Sequence, residues 1–215
     1  AVINYPGDDK YNPATATVNI TVNRNTVTIN AENLTKFYKD PQKFTVTVTD
    51  AKGQAAPNRT VDITINGVTY KRITDENGTA SLNINLGAGE YPVIVAVDDV
   101  VANSTVIVKS TIDASDVVKM FRNDTQYYAK FSDANGNILA NTNVSFNING
   151  VIYNRTTDAN GTAKVNINMA AGDYIVTATN PVTGEMRSNS IKVISLIESD
   201  DLTKYYKNAS QFVVR

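Results

Sequence analysis

Cysteine, histidine and tryptophan are all missing from this chain of 215 residues. Without Cys and His there is no thiolate nucleophile, no soft-metal ligand set and no imidazole base, which leaves only carboxylate, Lys, Ser, Thr or Tyr chemistry. The composition therefore argues against an enzyme and implies no cofactor and no metal. No apolar run approaches the roughly 20 residues a membrane span needs, so no membrane insertion is expected of this segment. Twenty basic and 21 acidic residues leave a net charge of −1. There is no basic stripe interleaved with aromatics, so nucleic acid is not an expected partner.

What the chain does have is repetition. Asn66 to Ala80 reads NGVTYKRITDENGTA and Asn149 to Ala163 reads NGVIYNRTTDANGTA, 11 of 15 positions matching at an offset of 83. NLTKFYKD at Asn33 returns as DVVKMFRN at Asp116 and as DLTKYYKN at Asp201. A period near 84 residues fits a small domain rather than a solenoid unit. The expected organisation is residues 1–31, the last strands of a preceding domain; 32–114, a full repeat; 115–199, a second; and 200–215, the start of another, cut from a longer polymer. Junctions 109–115 and 193–200 hold no Gly or Pro and are expected to be short and stiff.

Period-two alternation dominates, as in Val61, Ile63 and Ile65 against Val144, Phe146 and Ile148, which predicts an all-β fold with one packed and one wet face per strand. Asn66-Gly67 and Asn149-Gly150 predict type I′ hairpins, and the Asp-x-x-Gly sequences from Asp50, Asp75, Asp133 and Asp158 predict four-residue turns. Each of these turns carries only one or two carboxylates, too few for a dedicated calcium loop. Gly89-Glu90-Tyr91 and Gly172-Asp173-Tyr174 fit either tyrosine corners or plain core aromatics. Seven short strands per copy, centred on 34–38, 43–49, 61–65, 68–74, 79–86, 91–97 and 104–108 in the first, predict tandem immunoglobulin-like β-sandwiches, beads on a string.

The phrase order LTKYYKN, a strand ending in D-x-x-G, NGVxYxRTTD, NGTAxxNIN and GxY resembles the immunoglobulin-like repeats of large adhesin-like surface proteins of methanogenic archaea. Asn4 to Val22 looks like the end of a related bacterial-type repeat. The resemblance covers nearly the whole chain and implies extracellular, cell-surface display and attachment. It names no ligand: host, bacterial or envelope surface glycans or proteins are the implied partners, along with neighbouring repeats of the same fibre.

Ten Asn-x-Ser/Thr triplets occur where random order gives roughly four to five. They begin at Asn19, Asn33, Asn58, Asn77, Asn103, Asn123, Asn143, Asn154, Asn160 and Asn208. These are the candidate N-glycosylation sites; Asn77 and Asn160 double as turn residues ahead of a strand. The recurring Lys36, Lys119 and Lys204 invite comparison with Lys–Asn isopeptide bonds, with Asn103 and Asn189 as acceptors. Such a bond needs a buried acid at mid-strand, and Asp62 becomes Ser145, so the lysines read as solvated strand-edge charges.

The leading functional expectation is a structural stalk extending a binding tip from the envelope. The alternatives are a carbohydrate- or protein-binding module and a filament subunit polymerising by strand exchange. For the binding alternative, Tyr70 and Tyr153 are the aromatic candidates, and Asp98–Asn103 and Asn180–Asn189, which differ most between copies, are the candidate loops.

Overall fold

The computed structural model describes residues 2–20, 26–197 and 199–214. An exposed two-stranded ribbon of β1 (Val2–Tyr5) and β2 (Ala14–Thr17) comes first. Two sandwiches follow. The first comprises β3 (Thr28–Asn30), β4 (Leu34–Phe37), β5 (Lys43–Thr49), β6 (Thr60–Ile65), β7 (Val68–Ile73), β8 (Thr79–Asn83), β9 (Gly89–Val97) and β10 (Val100–Lys109). The second repeats the series as β11 (Ile112–Ala114), β12 (Val117–Met120), β13 (Gln126–Phe131), β14 (Asn143–Ile148), β15 (Val151–Thr156), β16 (Thr162–Asn166), β17 (Gly172–Thr179) and β18 (Met186–Ile194).

Each sandwich packs a five-stranded sheet, ordered β4-β10-β9-β6-β7 or β12-β18-β17-β14-β15, on a three-stranded one, ordered β3-β5-β8 or β11-β13-β16. The entering segment switches sheets. After pairing antiparallel in the small sheet it crosses over and runs parallel to the last strand, Leu34 beside Val106 and Val117 beside Ile191. All other strand pairings among the described residues are antiparallel, so each bead is an immunoglobulin-like sandwich.

The switch moves the unit boundaries. Residues 27–31, assigned from sequence to the preceding domain, belong to the first bead, because β3 pairs with β5 and Val27 joins that core. Likewise β11 pairs with β13, and Ile112 and Ala114 sit in the second core. These strands are three residues long, too short to register as alternation. In 199–214, expected to start a further repeat, the pairing among the described residues is an isolated Ser199–Val214 bridge. In both beads the strand at this position hydrogen-bonds to the last strand of its own bead, and 201–214 have no such neighbour among the described residues.

Core chemistry differs between beads while volume is conserved. Val48 and Ile63 become Phe131 and Phe146, and Val46 and Val95 shrink to Ala129 and Ala178, all fully or nearly fully buried. The rings meet edge-on, Tyr127 to Phe146 at 5.7 Å and Phe131 to Phe146 at 6.1 Å. Compensated exchange of this kind keeps a core at native density.

Candidate functional site

For a chain of beads the decisive place is the joint. Two residues, Ser110 and Thr111, separate β10 of the first bead from β11 of the second, and Thr111 is 1% exposed. Its hydroxyl and amide both lie 2.6 Å from Glu185 Oε2, to which they donate. Thr183 Oγ1 is 2.9 Å from the same hydroxyl, and Asn180 Nδ2 donates to it at 3.0 Å. Asn180 also donates to Ser132 O at 2.8 Å, while Ser132 N donates to Thr111 O at 2.9 Å. Asn180, Thr183 and Glu185 are themselves buried.

The loop that supplies these groups, 180–185, links β17 to β18. It is preshaped: Asn180 N donates to Glu185 O at 2.8 Å, Gly184 N donates to Asn180 O at 2.9 Å, and Gly184 takes a φ of 71°. In the first bead the same connection is the two-residue turn Asp98-Asp99, and Thr28, at the position of Thr111, is exposed. The clasp is therefore a property of the longer loop. Within the candidate recognition stretch 180–189, Asn180, Thr183 and Glu185 turn inward onto Thr111, whereas Pro181, Val182, Met186 and Ser188 stay exposed. Asp98–Asn103 is a tight turn running into strand β10.

The clasp anchors the link to the second bead, and a separate contact crosses from one bead to the other. Gly136, φ 83°, closes the Asp133 turn of the second bead, and a Cβ built on it would lie 2.5 Å from Cε2 of Phe37 in the first. Asp133 Oδ1 accepts the amides of Asn135 and Asn137 at 2.8 Å, and Oδ2 accepts Asn137 Nδ2 at 2.9 Å. The Asn137 bonds hold its carboxyl below the usual aspartate range. A cleft of about 460 Å³ opens between Tyr38, Gly87 and Ala88 on one bead and Glu185 to Ser188 on the other.

Elsewhere the turns follow expectation. Asn66, Gly67, Asn149 and Gly150 all have positive φ. Tyr91 and Tyr174 donate to the carbonyls of Gly87 and Ala170 at 3.0 and 3.1 Å, closing two tyrosine corners. The turn aspartates spend Oδ1 on backbone amides, and among the described residues no cluster of three acidic side chains converges as metal ligands.

The lysine expectation is overturned for two of three residues. Lys36 and Lys119 are buried, on the inward phase of the same strand as Leu34 and Val117. Lys36 Nζ donates to the carbonyls of Gln42 and Ile84 at 3.2 and 3.1 Å; Lys119 donates to those of Asn123, Thr125 and Ile167. Burial holds the Lys36 ammonium below the usual lysine range, partly opposed by Asp40. Neither contacts an Asn side chain as acyl acceptor: Asn103 is exposed, and Asn189 is engaged by Tyr127 and Asp116. Lys204 is exposed and makes the corresponding local bond, to Ser210 O at 3.0 Å.

All ten acceptor asparagines are exposed, although Thr21 of the Asn19 triplet lies outside the described residues. Asn33, Asn123, Asn143 and Asn208 accept hydrogen bonds through Oδ1. Tyr70 and Tyr153 carry Arg72 and Arg155 over their rings at 5.8 and 5.6 Å, and Tyr153 packs against the core.

The model of macroglobulin domain MG4 matches residues 29–105, the extent of the first bead. No curated protein sequence matches the chain. Solved structures it is similar to include a 1.5-MDa bacterial ice-binding adhesin retained at the host cell surface, at 19% identity over 88% of this chain and 72% of that one, TM-score 0.32. Invasin, a bacterial integrin-binding protein, is 20% identical over 78% and 39%, TM-score 0.36. Trypsin-activated alpha-2-macroglobulin from Escherichia coli is 12% identical over 95% and 20%, TM-score 0.41.

Proposed function

We propose that this segment is a non-catalytic spacer of an extracellular adhesin-type surface protein, in which clasped joints hold successive beads in line so that repetition sets reach. The buried clasp on Thr111 is the observation that carries this reading: it fixes Thr111 to the second bead, Lys109 O accepts Tyr38 N of the first bead, and only Ser110 is left between the two anchors, too little chain for a freely jointed tether. A seven-residue strand spans about 23 Å, so each bead with its loops adds roughly 35 to 45 Å to the rod. The repeat phrases support placement among the adhesin-like proteins of methanogenic archaea, and the excess of exposed acceptor asparagines supports an exterior location. Surface glycans or proteins at a distant tip are the proposed partners.

Replacing Asn180–Glu185 by the Asp-Asp turn of the first bead tests it. In the intact chain, residual dipolar couplings of the two beads fit one alignment tensor; in the short-loop variant they require two. Two tensors in the unmodified chain would refute the spacer reading.

A further inference from the structure

We infer that the second bead carries a binding groove for an acidic saccharide, at the seam where β15 of the large sheet lies alongside β16 of the small one. The groove encloses about 410 Å³, within the range of small-ligand sites. Arg155, Asp158, Thr162, Lys164, Asn166 and Tyr128 line it. Among the described residues strand β16 pairs only with β13, and its other edge lies at the groove.

The lining is organised in advance. Tyr128, 52% exposed, donates its hydroxyl to Gln126 Oε1 at 3.0 Å, and Gln126 Nε2 donates to Asn166 Oδ1. One amide thus fixes both the tyrosine ring and the neighbouring asparagine, whose Nδ2 stays available to a sugar hydroxyl. Lys164 sits directly across the strand pair from Tyr128, and Lys130 follows two residues along β13. Arg155 supplies the second cation of the lining from the facing strand, and Lys130 lies outside the lining. Asp158 is the one carboxylate in the lining, and its Oδ1 is committed to the amides of Asn160 and Thr162 at 2.8 and 2.9 Å.

The first bead serves as an internal control. At the same positions it has Thr45 for Tyr128, Lys43 for Gln126, Ser81 for Lys164 and Ile73 for Thr156, while Arg72, Asp75 and Asn83 are kept. The exchanged side chains face away from the core, so packing gives no reason for them. They add a flat aromatic face, a fixed amide ladder and a cation in one place. That combination suits a pyranose ring stacked on tyrosine with its anionic group between Lys164 and Arg155. The inference stands independently of the spacer reading.

The test is NMR titration of the full chain with four probes: an oligogalacturonate, a sulfated glycosaminoglycan, a neutral cello-oligosaccharide and poly-glutamate. The expected result is saturable shifts confined to 126–130 and 155–166 with the uronate, the sulfated glycan or both, which separates carboxylate from sulfate recognition. Tyr128→Thr and Lys164→Ser, each installing the residue the first bead tolerates, weaken binding about tenfold, a difference of about 1.4 kcal/mol. Equal binding of the neutral sugar, equal binding of poly-glutamate, unchanged affinity in both variants, or no shifts with either acidic glycan would each overturn it.

Discussion

Tyr127 shows how one residue's chemistry is matched by its neighbours. Its hydroxyl donates to Asn189 Oδ1 at 2.8 Å, and Asn189 in turn donates to Asp116 Oδ1 at 3.1 Å. The first bead has Phe44 there with Ser104, whose hydroxyl reaches only to Glu32 O and Asn33 Oδ1. Tyrosine and asparagine therefore go together, as phenylalanine and serine do. Tyr127→Phe alone leaves Asn189 with an unmet acceptor and is expected to cost about 1–2 kcal/mol, with less lost when Asn189→Ser is added. A double-mutant cycle by urea unfolding checks the coupling. Burial, aided by Asp116 and opposed by Arg187, pushes the phenol up to about 12. The folded state thus holds this proton more tightly than the ordinary tyrosine pKa of about 10, so its stabilising contribution is complete below that pH and lost as pH rises through about 12. Comparison with Tyr127→Phe across that window isolates the effect: the native chain loses stability more steeply.

At the scale of elements, turns and hairpins were the most legible features, because Asn-Gly and Asp-x-x-Gly specify backbone geometry locally. For the lysines residue type points to solvent while strand phase points inward, Lys36 and Lys119 keeping the phase of Leu34 and Val117, and phase prevails. Nothing local announced the clasp. The extra length of 180–185 was visible, but its partner Thr111 lies about 70 residues away and is joined to it only through polar contacts. The Asp-x-x-Gly turns also differ by context. Gly53 and Gly136 share positive φ, yet a Cβ on Gly53 meets nothing within 4 Å, whereas one on Gly136 meets Phe37 of the adjoining bead. Alanine at either costs about 1 kcal/mol in backbone strain. Gly136→Ala is expected to cost more, and the excess to vanish in a Phe37→Ala background; thermal unfolding of the four variants would show whether the joint is packed as described.

For the whole molecule, the acceptor asparagines make a sharp prediction. Intact mass of material from the native surface is expected to exceed that of the unglycosylated chain in sugar-sized steps, with peptide mapping locating the glycans among the ten exposed sites. A match between the two masses would leave Asn77 and Asn160 as turn residues and remove the support that the triplets lend to an exterior location. Both tandem organisation and the two-layer sandwich could be read from repeated phrases and alternation, since each is encoded many times over. The groove on the second bead could not, since it joins residues from three strands that sequence order separates.

The sheet switch also governs how a bead bears load. Because the strand by which the chain enters each large sheet lies parallel to the one by which it leaves, a pull on the two ends drives Leu34–Phe37 and Val106–Lys109 past each other along their common axis. The rungs between them are then strained together, in shear, instead of opening one at a time like a zip. The same holds for Val117–Met120 against Ile191–Ile194. Tension applied across a bead would thus load all the rungs of its parallel terminal pair at once.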